Sequence, residues 1–193
     1  MRKFLAHLLA FSFLFVFAPS AYADSAFGIE YGGALPAVKE DRGDGVFIIT
    51  PPKPHSTFED YWVKYTESHG VCFIMSFSQF NENDKYATSA ILEFDKISRV
   101  LSKKYSNRKD WIEYVGGGAF QGNEYYAYAL YAGHRKHASW WTPKANSHND
   151  FDYIELSIKA TEAEETYLAL AYQNEGHFND CSNSITAEED DAL

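Results

Sequence analysis

Two stretches of strict apolar alternation, separated by one long helical period, most constrain how this chain folds. In the first, Tyr61, Val63 and Tyr65 alternate with Trp62 and Lys64. Glu67 to Gly70 supplies a turn. Val71, Phe73, Met75 and Phe77 then alternate with Cys72, Ile74 and Ser76. In the second, Ile154, Leu156, Ile158 and Ala160 alternate with Glu155, Ser157 and Lys159. After a turn over Thr161 to Glu165, Leu168, Leu170 and Tyr172 continue the pattern. A period of two is the signature of a half-buried strand, and a short polar turn between two such runs makes a hairpin. Between them, Ala87, Ala90, Ile91, Phe94, Ile97, Leu101 and Tyr105 share one face of a helix over Tyr86 to Tyr105. Its basic residues gather at the C-terminal end, where the helix dipole favours them. Val46 to Thr50 and His134 to Thr142 read as further strands. Ala34 to Glu40 reads as one or two helical turns, with Pro36 tolerated near the start. Ser106 to Gly122 reads as irregular, and Glu124 to Tyr131 fits helix and strand equally. The expectation is an α+β fold: an antiparallel sheet of about five to six strands, one long helix on one face, and a short N-terminal helix. The two halves look loosely alike, each a helical piece followed by three strands, although the residues themselves do not repeat.

The start of the chain fixes the expected compartment. Arg2 and Lys3 precede an apolar run from Phe4 to Phe17, Pro19 breaks it, and Ala21-Tyr22-Ala23 offers small residues for cleavage. This is the pattern of a secretory signal over residues 1–23. The run is about 14 residues, short of the roughly 20 that a membrane span needs. No cysteine sits at the cleavage point to carry a lipid, and no membrane anchor is expected after cleavage. The expected organisation is a single α+β domain over residues 24–182, followed by an acidic, disordered tail over 183–193, in a periplasmic or secreted protein. Cys72 and Cys181 are the two cysteines, and in an oxidising compartment an even pair is expected to bridge. Closing a loop of roughly 100 residues is worth ~4–5 kcal/mol in the chain-entropy model, against 2–4 typically measured. The net charge is −10 at pH 7, and becomes −12 once the leader cations Arg2 and Lys3 are removed. Such a chain is a poor match for nucleic acid, whose counterions must be displaced by cations, or for an anionic membrane surface. A basic protein partner fits it better.

Phe27-Gly28-Ile29-Glu30, Thr50-Pro51-Pro52-Lys53-Pro54-His55 and Phe58-Glu59-Asp60-Tyr61 together resemble a group of small exported bacterial proteins of unknown function. The stretch from Ile154 through Tyr167-Leu168-Ala169-Leu170-Ala171-Tyr172-Gln173-Asn174 to Cys181 fits the same resemblance, which implies no activity. By order of elements the chain also resembles β-lactamase-inhibitor proteins and the small lipoprotein of the outer-membrane assembly machine. The lipidation cysteine of the latter is missing here, and a shared fold does not carry a shared function.

No catalytic set stands out. His134 and His137 flank Arg135 and Lys136, and on a strand their odd spacing sends them to opposite faces beside cations that repel a metal ion. His148, Asp150 and Asp152 offer an imidazole and two carboxylates in a loop, the makings of acid–base chemistry in an envelope hydrolase, without a visible nucleophile. Gly116-Gly117-Gly118 lacks the lysine and hydroxyl residue of a phosphate loop. No zinc set surrounds either cysteine, and no motif implies a cofactor or metal. The aromatic group Tyr125, Tyr126, Trp140 and Trp141 is the candidate binding surface. Adjacent tryptophans on a strand face opposite ways, and exposed Trp and Tyr anchor protein interfaces or stack on sugars. The sequence therefore points to a non-enzymatic, macromolecule-binding module of inhibitor or immunity type. The alternatives are the envelope hydrolase and an envelope assembly or sugar-binding factor.

Overall fold

A computed structural model describes residues 25–115, 120–144 and 150–191. The expected leader, the triple glycine and His148 lie outside the described residues. The first elements are two-residue strands, β1 (Ser25–Ala26) and β2 (Ile29–Glu30), joined by Phe27 and Gly28 at φ 56° and 75°. Positive φ at both turn residues is what a two-residue hairpin of type I′ demands. There follow β3 (Ala37–Gly43), β4 (Val46–Thr50), β5 (Phe58–Thr66), β6 (Gly70–Ser78), α1 (Thr88–Lys104) and β7 (Lys109–Tyr114). A short helical turn leads into α2 (Tyr126–Tyr131). The chain then runs through β8 (Arg135–Trp141), β9 (Tyr153–Glu162), β10 (Glu165–Gln173) and α3 (Glu175–Asp191).

Eight of these strands form one antiparallel sheet in the order β3-β4-β5-β6-β10-β9-β8-β7. It is two four-stranded meanders joined at their last strands, where Leu170 lies opposite Ser76 and Tyr172 opposite Ile74. The likeness of the two halves lies in these four-stranded meanders, not in a helical piece followed by three strands. The expected class and the long helix are as read from sequence. The sheet has eight strands rather than five or six, and the short N-terminal helix is absent. Its residues instead enter β3, where Val38 pairs with Ile49 and Glu40 with Ile48. Pairing with β4 gives those backbone groups partners that one or two helical turns after Pro36 would leave mostly unsatisfied. The segment expected to be irregular contains β7, which pairs along its whole length with β8. The tail expected to be disordered from residue 183 is helical as far as Asp191.

One face of the sheet is the core. Val63, Ile74, Leu170, Ile154, Leu156 and Trp141 point into it, and α1 covers it with Ala90, Phe94, Ile97 and Leu101. Helix α1 begins after Ala87, whose φ of 53° turns the chain, and the buried Asp84 serves as its cap. The Asp84 carboxylate accepts from the amides of Ser89 and Ala90, each at 3.2 Å, and from the Thr166 hydroxyl at 2.8 Å. The β1–β2 hairpin closes the other end of this face. Its Tyr31 hydroxyl accepts from the Asn174 amide at 2.8 Å and donates to the Cys72 carbonyl. Helix α3 packs beside the β5–β6 turn, with Phe178 against Phe73 at 5.6 Å between rings and the Cys72–Cys181 disulfide holding it there. Among the described residues, no helix is long and apolar enough to cross a membrane.

Candidate functional site

The face of the sheet turned away from α1 is only partly covered. Helix α3 lies over its Lys64 and Phe73 end, where the Lys64 ammonium reaches Ser182 at 3.1 Å and the Phe178 ring at 5.2 Å. Beyond α3 the open face carries two concavities, and both are aromatic.

The first lies across β5, β6 and β10 and encloses about 290 Å³. Register builds it. Trp62 is opposite Met75, and Phe77 is opposite Ala169, so Trp62, Phe77 and Tyr167 fall on one face. Their rings run in series, Trp62 to Phe77 at 5.3 Å and Phe77 to Tyr167 at 6.1 Å, and Phe80 meets Tyr167 at 5.3 Å. Phe80 is 55% exposed at the end of this series. Glu59 and Asp60, both exposed, stand on the rim, where Glu59 accepts a hydrogen bond from Gln79. Arg42 covers part of the Trp62 ring at 5.8 Å. Burial raises the pKa of the Tyr167 hydroxyl, so it stays neutral and a hydrogen-bond donor.

The second concavity, about 470 Å³, lies over β7, β8 and β9. Trp111, Trp140 and Tyr153 line it with Lys136, Glu155 and Lys159. The Lys136 ammonium sits 5.6 Å from the Trp111 ring centroid. The Tyr153 hydroxyl donates to Glu155 at 2.7 Å, and burial together with that carboxylate holds its pKa well above the ordinary tyrosine value.

The four aromatics singled out from sequence do not form one surface. Trp140 lies on the open face, in the second concavity. Trp141 points the other way, is wholly buried, and donates from its indole to Ser102 at 3.2 Å, so it is a core residue. Tyr126 is buried too, its hydroxyl 2.6 Å from Nδ1 of His137. Tyr125 is 41% exposed, at a separate hollow beside Phe120 and Glu124. His137 is the buried member of the histidine pair, packed on Phe94 at 4.5 Å between rings, and His134 falls just before β8.

Of the proposed hydrolase set, the Asp152 carboxylate has structural work. Asp152 accepts from the Glu175 amide with both oxygens at 3.2 Å and so holds the start of α3. Burial raises its pKa, opposed by the Glu175 amide it accepts from and reinforced by the Glu175 charge. The backbone carbonyl of Asp150 accepts from Asn174 at 3.0 Å. Neither aspartate lines either aromatic concavity. Among the described residues, no group of three or more His, Cys, Asp or Glu is placed to hold a metal ion.

Sequence reasoning passed over Trp62, Phe77, Tyr167 and their acidic rim. A signal was present. The first hairpin is apolar in both phases of its alternation, with Cys72 and Ile74 in one and Phe73, Met75 and Phe77 in the other, and a strand apolar on both sides has two faces to occupy. The structure defines a class, an eight-stranded antiparallel sheet with one face packed by α1 and the other covered by α3 at one end and elsewhere open and aromatic. Compared with known protein families, curated proteins and solved structures, the chain matches none.

Proposed function

We infer that this is an exported, non-enzymatic module that binds a protein, in the manner of an inhibitor or immunity protein, and that it holds a basic segment of its partner on the Trp62–Phe77–Tyr167 row. The observation that carries this reading is the acidic rim of that row. Glu59 and Asp60 stand beside a half-buried aromatic series with room for side chains to enter. Aromatic rings attract a cation across their faces, and adjacent carboxylates add a second attraction for the same lysine or arginine. The net charge of −10 steers a basic partner in the same sense. The leader pattern and the disulfide support export.

The test compares proteins captured from an envelope extract by the wild-type chain, by Trp62→Ala, and by the Glu59→Lys/Asp60→Lys double variant. A basic protein retained by wild type, released by salt, and bound at least tenfold more weakly by both variants is the expected result; tenfold corresponds to about 1.4 kcal/mol, within the range of an interface anchor. Identical captures by all three, or none by wild type, refute the reading.

A further inference from the structure

The two edges of the sheet are built differently. Edge strand β3 carries four consecutive charged residues, Lys39 to Arg42, and its register breaks twice, at Val38/Glu40 and at Asp41/Gly43. Charges and bulges of this kind keep an edge from pairing with another strand. Edge strand β7 is less protected: its charges, Lys109, Asp110 and Glu113, are interrupted by Trp111 and Ile112, and no bulge breaks it. Its pairing with β8 is unbroken from Lys109 to Tyr114, and it exposes Trp111 (43%) and Ile112 (49%). Among the described residues, no strand pairs with its outer edge.

Backbone parity fixes which registers that edge can accept. The Val115 amide donates to the His134 carbonyl at 2.7 Å. Counting back along a regular antiparallel pair, residues 111, 113 and 115 turn their N–H and C=O groups toward β8, and 110, 112 and 114 turn theirs outward. A second β7 meeting this edge antiparallel about a two-fold axis must bring outward groups opposite outward groups. The axis then passes through a residue, never between two. Centring it on Asp110 sets Asp110 against itself, and centring it on Glu113 does the same for Glu113; like charges directly opposite destabilise. Centring it on Ile112 places Lys109 opposite Val115 and Glu113 opposite Trp111, leaving both charges unmatched. Centring it on Trp111 places Lys109 of each copy opposite Glu113 of the other and stacks the two Trp111 side chains between them. These pairs fall at non-hydrogen-bonded positions, where side chains come closest, while Asp110 and Ile112 exchange about four backbone hydrogen bonds across the axis.

We propose that the chain forms a two-fold homodimer through β7, in the Trp111-centred register, making one continuous sheet of both copies. Lys109 has no ion-pair partner among the described residues, and Glu113 accepts only the Trp111 indole N–H, so both are available. The surface is distinct from the acidic aromatic row on β5, β6 and β10, and the proposal is independent of the function inferred there.

The experiment is sedimentation velocity on the mature, disulfide-bonded protein from micromolar to millimolar concentration. Wild type, Lys109→Glu, Glu113→Lys and the Lys109→Glu/Glu113→Lys double swap are compared, with near-ultraviolet circular dichroism confirming that each is folded. The expected result is a dimer for wild type, at least tenfold weaker association for each single variant, and recovery in the double swap, which restores opposite charges across the axis. A wild type that stays monomeric overturns the proposal. So does a dimer indifferent to both single variants, or a double swap that fails to recover.

Discussion

Acidification should weaken this fold through His137 over a defined pH window. The ring lies on the core face of β8, packed on Phe94, with Nδ1 2.6 Å from the Tyr126 hydroxyl and no partner at Nε2 among the described residues. A protonated ring there would bury a cationic N–H without an acceptor. Burial therefore pushes its pKa down to about 4, with Asp95 opposing, Arg135 assisting and Asp110 opposing. In the unfolded chain the value returns to about 6.5. Between these values the unfolded state takes up a proton that the folded state refuses, so stability falls as pH falls. The contribution is complete above pH 6.5 and is lost progressively toward pH 4. At about 1.36 kcal/mol per pKa unit, the difference amounts to roughly 3 kcal/mol at the limit, and solvent screening lowers it to about 2. Between pH 7 and pH 5 the share expressed is about 1–2 kcal/mol. Urea unfolding at both pH values, in wild type and His137→Phe, measures it. The variant loses the Tyr126 contact and starts lower, so the pH-dependent difference is the readout rather than the absolute stability. Wild type should lose about 1–2 kcal/mol more than the variant on going from pH 7 to pH 5. Parallel losses in the two proteins would refute the assignment.

Replacing Cys72 and Cys181 together with serine opens a loop of 109 residues and should cost about 2–4 kcal/mol, read as a lower urea midpoint; an unchanged midpoint would show that α3 stays docked without the bond. Trp141→Ala should cost about 3–5 kcal/mol because it empties a fully buried site. Trp140→Ala, on the open face, should cost under about 1 kcal/mol, and equal losses at the two positions would contradict the facing assigned to β8.

Much of the sheet was legible in the sequence, and what escaped has a common cause. The six strands read in advance each have a buried side or a buried neighbour, and that burial writes the alternation into β5, β6, β9 and β10. The two strands missed in the main sheet, β3 and β7, are its two edges. All seven β3 residues are exposed, as are five of the six in β7, so selection for a core left no period of two to read. Helix α3 escaped because few of its described positions are apolar; Phe178, Cys181 and Ile185 mark its packed side, and a disulfide and a distant carboxylate from Asp152 hold it in place. In the binding surface, alternation correctly set Trp140 and Trp141 on opposite faces. It did not say which was inward, because both are equally apolar and the choice is made by register with β9, where Trp141 meets Ile154.

The seam between the two meanders sets the timetable of assembly. Strand β6 is bordered on one side by β10, and Tyr31 waits for Asn174, 143 residues later. A chain emerging amino end first, whether from a ribosome or through an export channel, therefore completes its first meander with that flank bare until nearly the whole polypeptide is available. Closure of such distant contacts is slow, so the nascent protein is a natural client for a chaperone that shelters unpaired strands.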